Sequence, residues 1–306
     1  MDLIIEQATL NDIDELLALY LSIYGDDYPL ELGTNKSVMK NALSHPFDFL
    51  WLIIRDTEKA TIAGSTIIEI DHGFKIGKVT GVTTNKAYRR QGIASRLIAY
   101  GTNKVVHEDK LVNSLYATSR TISKASQVMF LKNNFLPLGI FPNARKIKNY
   151  ETLTLLGYFG DEVISRRKPA LKVPTFIKPI SDVICNAINV EKMSESFEQC
   201  HPISRRKTYE EDSLEGGFEF ISAPNFINKR FEIMFQDDDE SVFYPFHRPN
   251  LLIASVTDEL EIYASFNEKD HYCVLITSNS SILGLGDRFK KLLFQMKDQG
   301  IYYVET

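Results

Sequence analysis

One stretch of the chain carries the residue types and spacing best suited to chemistry: Thr84-Asn85-Lys86-Ala87-Tyr88-Arg89-Arg90-Gln91-Gly92-Ile93-Ala94-Ser95-Arg96-Leu97. A strand-like run ends here in a basic loop, and the loop leads into an amphipathic helix pattern. Gly92 and Ala94 keep side-chain bulk away from a backbone that an anion must approach closely. The first turn of a helix has unpartnered N–H groups and a dipole that favours negative charge. With Arg89 and Arg90 beside it, this turn is predicted to bind a diphosphate.

The first 160 residues alternate strand and helix patterns around that loop. The predicted strands are Leu3–Gln7, Phe49–Arg55, Thr61–Ile70, Lys75–Thr84, Leu111–Ser119, Leu136–Phe141 and Tyr150–Tyr158. The predicted helices are 9–24, Lys36–Leu43, Gly92–His107 and Ser123–Asn134. Thr9 and Asp12 have the spacing of a capping box at the start of the first helix, and Gly25 is placed to end it.

The hexapeptide Arg89-Arg90-Gln91-Gly92-Ile93-Ala94 resembles the [R/Q]-x-x-G-x-[G/A] motif of the GNAT superfamily of N-acetyltransferases. The order of predicted elements resembles that family as well, over about residues 1–160. The resemblance implies an α+β (mixed α/β) GNAT fold, with a mixed, mostly antiparallel central sheet flanked by helices. It also implies acetyl-CoA as co-substrate. The cofactor-binding residues implied are Thr84, Arg89, Arg90, Gln91, Gly92, Ile93, Ala94, Ser95 and Ser126.

The general acid implied by the resemblance is missing. Many family members use a tyrosine, late in the helix after the fifth strand, to protonate the leaving CoA thiolate. Phe130 stands at that position, and phenylalanine cannot donate a proton. Ser123 and Ser126 lie one or two turns earlier and could bind CoA or relay a proton. Alternatively, Ser123 is a helix cap and Ser126 a small packing residue.

A general base is also hard to assign, because no Asp or Glu occurs between His72 and His107. The candidates are Glu69 and Asp71 at the end of the third strand and Glu151 on the last strand. The alternative for each, which the residue type favours, is a solvated charge at a strand end. Glu69, Glu151 and Ser126 are therefore only candidates for catalysis, and positioning of an already activated thioester could supply much of the rate.

The chain is predicted to form two domains, 1–162 and 175–306, joined by a linker at 163–174 that contains two prolines and clustered charge. The second domain is expected to be a smaller α+β domain. Its predicted strands are Phe218–Ser222, Phe231–Phe235, Leu251–Val256, Leu260–Phe266, Tyr272–Thr277 and Ile301–Val304, and its helix is Leu285–Lys297. Its final strand, helix and strand repeat the order found at Leu111–Phe141, so a degenerate GNAT-like half is one interpretation.

Composition excludes several classes of protein. A formal charge of −5 disfavours a nucleic-acid partner, and no apolar window reaches the length of a membrane helix. The N-terminus lacks the basic region of a signal peptide, which indicates a soluble, cytoplasmic protein. Three cysteines without C-x-x-C spacing and six unpaired histidines predict no disulfide and no metal.

The predicted activity is transfer of an acetyl group from acetyl-CoA to a primary amine of a small metabolite, by direct attack in a ternary complex. A lysine or N-terminus of a protein is the second acceptor class. A different acyl donor is also open, as is a non-catalytic sensor or scaffold that binds acyl-CoA. The oligomeric state is not predicted from the sequence.

Overall fold

The structure, a computed structural model, describes residues 2–25, 28–146, 149–166, 173–190, 197–198, 216–235, 244–280, 285 and 288–305. It divides into two compact units, one comprising Met1–Pro142 with Glu151–Pro202 and the other comprising Asn143–Tyr150 with Ile203–Thr306. The domain limits 1–162 and 175–306 and the linker between them stay predictions.

Seven strands form one sheet in the order β1-β2-β3-β4-β5-β7-β6. They are β1 Leu3–Gln7, β2 Phe49–Asp56, β3 Thr61–Asp71, β4 Ile76–Thr84, β5 Ser114–Arg120, β6 Leu136–Lys146 and β7 Tyr150–Phe159. The helices are α1 Ile13–Tyr24, α2 Glu31–Thr34, α3 Lys36–Leu43, α4 Ile93–Thr102, α5 Lys124–Lys132 and α6 Lys178–Ala187. Two-residue strands β8 Val173–Pro174 and β9 Phe197–Glu198 pair in parallel. The predicted mixed α+β class, with a mostly antiparallel sheet flanked by helices, is confirmed.

Local signals in the sequence set the start of a 3₁₀ turn, Leu10–Asp12, which leads directly into α1, and the end of α1. Thr9 Oγ1 accepts a hydrogen bond from the Asn11 amide, and Asp12 Oδ2 accepts one from the Thr9 amide at 2.7 Å, which confirms the capping box. Gly25 ends the helix with a φ of +78°. Such backbone angles are easily reached only by glycine.

The sheet separates two apolar layers because successive side chains of a strand point to opposite faces. Trp51 and Ile53 of β2 belong to the layer covered by α1 and α3. Leu52 and Ile54 belong to the opposite layer, which is covered by α4 and α5. The two layers are called here the α1 face and the α4 face.

The second unit has its own five-stranded sheet, in the order β10-β11-β12-β13-β14. These strands are β10 Phe218–Ile221, β11 Leu251–Ser255, β12 Glu261–Asn267, β13 Tyr272–Ser278 and β14 Tyr303–Glu305. Helix α7, Pro224–Phe235, follows β10, and helix α8, Arg288–Asp298, lies between β13 and β14.

The strand predicted at Phe231–Phe235 is wrong, because these residues end helix α7. Ile227, Phe231 and Phe235 recur every four residues, so they share one helical face. That face packs on the sheet, and the rings of Phe231 and Phe235 both lie 5.6 Å from the ring of Tyr263.

The two sheets share a strand pattern. In each, the first four strands are antiparallel neighbours in chain order, and a helix then leads to a fifth strand parallel to the fourth. The counterpart of β13–α8–β14 is therefore β4–α4–β5. The order strand, helix, strand predicted at Leu111–Phe141 is present as β5–α5–β6, but β5 and β6 are not neighbours in the sheet, so the strand pairing of β13 and β14 is not repeated there.

Candidate active site

The sheet of the first unit opens between β4 and β5. These strands pair in parallel only where Ile76, Gly77 and Lys78 meet Ser114, Leu115 and Tyr116. Beyond that point β5 continues to pair with β7 as far as Arg120. No further pairing joins β4 to β5 within the described residues, so the end of β4 at Thr84 borders an opening in the sheet.

The loop after β4 is held in a strained backbone conformation. Arg89 is extended, Arg90 has a φ of +65°, and Gly92 has a φ of +73° as the N-cap of α4. A positive φ is uncommon for a residue with a Cβ, and such strain is often found at binding sites. Arg89, Arg90 and Gln91 are exposed on this loop.

The first turn of α4 is open to a ligand. The N-cap makes no side-chain hydrogen bond, and the first helical hydrogen bond runs from the Arg96 amide to the Gly92 carbonyl. The amides of Ile93, Ala94 and Ser95 therefore have no acceptor within the helix. A Cβ built on Gly92 meets no atom within 4 Å, so the space before this turn is unfilled. These features fit an anion such as a diphosphate.

Three of the predicted cofactor residues, Ile93, Ser95 and Ser126, have side chains that are already buried or hydrogen-bonded. The side chain of Ile93 is buried in the core, so only its backbone amide is available to a ligand. Ser95 Oγ accepts a hydrogen bond from Asn133 Nδ2 at 2.9 Å, which joins the start of α4 to the end of α5. Ser126 Oγ accepts one from Ser119 Oγ at 2.6 Å.

The helix α5 does not present an aromatic hydroxyl. Phe130 is 3% exposed and packs in the core, with its ring 5.0 Å from that of Phe135. Ser123 caps the helix by accepting a hydrogen bond from the Ala125 amide at 3.2 Å. The capping interpretation of Ser123 is confirmed.

Two of the carboxylate candidates lie away from the opening. Glu69 Oε1 is 3.5 Å from Lys78 Nζ, at the end of β4 that pairs with β5. Thr84 pairs with Gly64, and Glu69 lies five residues from Gly64 along β3, which is a distance of about 17 Å. Asp71 Oδ1 accepts a hydrogen bond from the Phe74 amide in the β3–β4 turn.

Glu151 lies at the open end, but it is already paired. Arg120 donates from Nε and Nη2 to its two carboxylate oxygens, both at 2.5 Å. This bidentate hydrogen bonding raises the pKa of Arg120. Glu151 can accept a proton from a substrate only by giving up part of this ion pair. The structure therefore brings Glu151 to the opening but does not bring Glu69 or Asp71 there.

Sequence reasoning missed the tyrosines that hydrogen-bond the backbone of β4 beside the opening, on the α1 face. Tyr20 donates to the Gly81 carbonyl at 2.6 Å, and Tyr24 donates to the Val82 carbonyl at 2.7 Å. Burial raises the pKa of Tyr20 well above its ordinary value, so the phenol stays a donor. Tyr28 stacks on Tyr24 with ring centroids 4.1 Å apart. The spacing of four residues between Tyr20 and Tyr24, which places both on one face of α1, was the available signal.

Clusters of metal-binding side chains and membrane-spanning helices are both absent from the described part of the chain. No group of three or more His, Cys, Asp and Glu side chains is placed there to hold a metal ion. None of the helices described is both long enough and apolar enough to span a membrane.

Comparison with known proteins found similar solved structures but no curated relative by sequence. A search of curated proteins by sequence returned no match. Similar solved structures include a GNAT-family acetyltransferase from Streptococcus pneumoniae, ribosomal-protein-S5-alanine acetyltransferase from Vibrio fischeri and an N-acetyltransferase from Staphylococcus aureus Mu50. Their identities to this chain are 20%, 14% and 15%, and their TM-scores are 0.43, 0.46 and 0.45. In the same order, the matched regions make up 52%, 53% and 52% of this chain and 99%, 95% and 99% of the three solved chains.

The family model of the acetyltransferase (GNAT) family matches residues 11–135. That range runs from the start of α1 to the end of α5 and contains the opened strands, the strained loop and the uncapped helix turn. Residues 11–135 are therefore an acetyltransferase domain of the GNAT family.

Proposed function

We propose that the protein transfers an acetyl group from acetyl-CoA to a primary amine of a small metabolite, by direct attack in a ternary complex. The observation that carries the proposal is the uncapped first turn of α4, with open space in front of Gly92, beside the opening between β4 and β5. The protein would then be an acyltransferase of class EC 2.3.1.

The cofactor residues have distinct roles in this proposal. The amides of Ile93, Ala94 and Ser95 would bind the diphosphate, and Arg89 and Arg90 would add charge beside it. Thr84 and the neighbouring backbone of β4 would bind the extended pantetheine arm. Acetyl-CoA supplies the activated thioester.

Ser126 keeps a donor for the cofactor. Because Ser119 donates its hydroxyl hydrogen to Ser126, the hydrogen of Ser126 remains available for a ligand oxygen. We propose that Ser126 binds the cofactor and does not transfer protons. Within the described residues, the side chain that hydrogen-bonds this hydroxyl is Ser119, which is not a base.

Positioning supplies most of the rate in this proposal. Glu69 and Glu151 are engaged by Lys78 and Arg120, so neither is a ready general base. The amine would lose its proton to solvent, and water would protonate the thiolate, whose thiol pKa is near ~8.5. Loss of a placed acid or base costs about 10²–10⁴-fold. A slow enzyme is therefore expected.

The acceptor would approach from the α1 face. The guanidinium of Arg120 lies there, close enough to Tyr24 and Tyr28 for both phenols to interact with it electrostatically. Aromatic rings beside an Arg–Glu pair offer stacking and polar contacts to a small polar amine. A protein N-terminus or lysine is the second acceptor class to test.

A non-catalytic sensor that binds acyl-CoA is the second candidate function. Two points favour it: Phe130, which is buried in the core, stands where the resemblance implies a proton donor, and Glu151 at the opening is ion-paired. A sensor would keep the diphosphate site and lose turnover, so binding and activity must be measured separately.

The binding experiment is calorimetry of acetyl-CoA with the native protein and with Gly92→Glu. The added carboxylate would occupy the open space and repel the diphosphate, so we expect binding to be lost. Gly25→Glu is the matched control, because Gly25 also has a positive φ and open space around its Cβ position. Equal affinity of the native protein and Gly92→Glu would reject the diphosphate site.

The activity experiment is a CoA-release assay with polyamines, amino acids, amino sugars and peptides that carry a free N-terminus or lysine. Release with a small amine supports the proposal, and release only with peptides supports the protein acceptor class. Tight binding of acetyl-CoA with no release across the panel supports the sensor.

A further inference from the structure

The fourth strand carries an extra residue at the opening. Ser65 pairs with Thr83 and Ile67 pairs with Thr80, so Gly81 and Val82 together face the single residue Thr66. Gly81 has a φ of +59°. This is a β-bulge with glycine in a left-handed conformation, a device that re-aims backbone groups near active sites.

Two tyrosines of α1 bind the two carbonyls of this bulge. Tyr20 donates to the Gly81 carbonyl at 2.6 Å and Tyr24 to the Val82 carbonyl at 2.7 Å. They are four residues apart, so one face of the helix places both hydroxyls on consecutive peptide groups.

Tyr20 ends a chain of hydrogen bonds with a defined direction. Trp51 Nε1 donates to Ser65 Oγ at 2.8 Å, and Ser65 Oγ lies 3.2 Å from Tyr20 Oη. The single phenolic hydrogen of Tyr20 is given to the Gly81 carbonyl, so Ser65 must donate to Tyr20. All four residues are buried. Chains of this kind strengthen their successive members and rigidify the groups they join.

The direction of the carbonyl fixes the direction of the next amide. A trans peptide is planar, and its C=O and N–H point in opposite directions. The Gly81 carbonyl points to Tyr20 on the α1 face, so the Val82 N–H points away from that face. It points to the side on which α4 and its uncapped first turn lie.

We infer that Tyr20 and Tyr24 are positioning residues for acetyl transfer: they fix the two peptides of the bulge so that the Val82 N–H can donate to the thioester carbonyl. This inference rests on the proposed function, because it needs acetyl-CoA in the opening. Neither tyrosine touches the reacting atoms. Their effect is the direction of a backbone donor, which stabilises negative charge on the carbonyl oxygen during attack.

The test is infrared difference spectroscopy of bound acetyl-CoA labelled with carbon-13 at the thioester carbonyl. In the native protein the hydrogen bond from Val82 should move the carbonyl band to lower frequency than in free acetyl-CoA. In Tyr20→Phe and Tyr24→Phe the band should move back towards its free position. CoA itself should bind all three proteins equally well, because it has no thioester carbonyl.

The same variants should lower the rate of CoA release about 10- to 100-fold, in kcat more than in KM. Tyr158→Phe is the control. It removes a hydroxyl of β7 that is hydrogen-bonded to His107 at 2.8 Å, and it should leave the carbonyl band unchanged. If Tyr20→Phe does not fold, the half-buried Tyr24 carries the test. A native band and rate in folded Tyr24→Phe and Tyr20→Phe would overturn the inference. Failure of the native protein to bind acetyl-CoA would instead overturn the proposed function.

Discussion

Tyr88 donates its phenolic hydrogen to Asp56 Oδ2 at 2.8 Å, and the two side chains are 3% and 0% exposed. The other carboxylate oxygen accepts from the amides of Glu58 and Lys59 in the β2–β3 turn. The hydrogen bond from Tyr88 lowers the pKa of Asp56. The strained loop before α4 is thereby tied to a turn that lies about thirty residues earlier in the chain.

Tyr88→Phe should weaken CoA binding and lower stability at neutral pH, because the Asp56 carboxylate loses a buried donor. Since the folded pKa of Asp56 is depressed, this stabilisation is present above its ordinary value of 3.8 and is lost as the pH falls through the folded value. The urea midpoints of the native protein and the variant should thus differ at pH 7 and converge in acid. Tyr100→Phe, at an exposed tyrosine of α4, is the control. Equal midpoints at pH 7 would contradict the prediction.

Phe130→Tyr should lower the free energy of unfolding by about 1–3 kcal/mol, because the new hydroxyl enters an apolar core beside Phe135. Urea unfolding measures the change. Unchanged stability together with faster CoA release would show instead that position 130 faces the opening and that a phenol there can protonate the thiolate.

Asp258→Asn should weaken the second unit at neutral pH. Hydrogen bonds from Arg288 and Ser255 lower the pKa of Asp258 to about 2. Because this folded pKa lies below the ordinary value of 3.8, the contribution is complete above about pH 4 and is lost as the pH falls towards 2. The effect is small, since the carboxylate is 46% exposed to solvent. Thermal melts of both proteins from pH 7 to pH 2 should differ only at the higher pH. A difference that persists at pH 2 would assign the effect to something other than charge.

A fragment of residues 1–162 should bind CoA with the affinity of the whole chain. The family match ends at residue 135, and every proposed cofactor residue precedes it. Calorimetry on the fragment and on its Gly92→Glu variant measures this. A folded fragment that does not bind CoA would place part of the cofactor site in residues 163–306.

The position of the loop before α4 could be predicted from the sequence because its signals are local, whereas its binding of a diphosphate stays a prediction. Arg89, Gly92 and Ala94 lie within six consecutive residues, and the strand before them and the helix after them have clear periodicities. The same holds for the capping box at Thr9 and the helix Lys36–Leu43, whose predicted bounds match the structure.

Features created by contacts between distant residues could not be predicted. The bulge at Gly81 depends on a register shift between two strands, and the ion pair of Glu151 depends on Arg120 in a neighbouring strand. Helix α7 was missed for a related reason. A short run of apolar and polar residues such as Phe231–Phe235 fits both periods until its packing partner, Tyr263, is known.

The tyrosine bonds to the bulge also bear on how the site assembles. Tyr20 and Gly81 are 61 positions apart in the chain, and Tyr24 and Val82 are 58 apart. Contacts between such distant residues form after local turns and helices, because the entropy lost on closing the loop is not offset until the contacts are made. The bond from Tyr88 to Asp56 closes a shorter loop of 32 positions, so the loop before α4 can be fixed earlier, while the bulge at the opening waits for α1 to dock. Under the proposed function, we therefore expect CoA binding to appear during folding before the ability to orient the acetyl group.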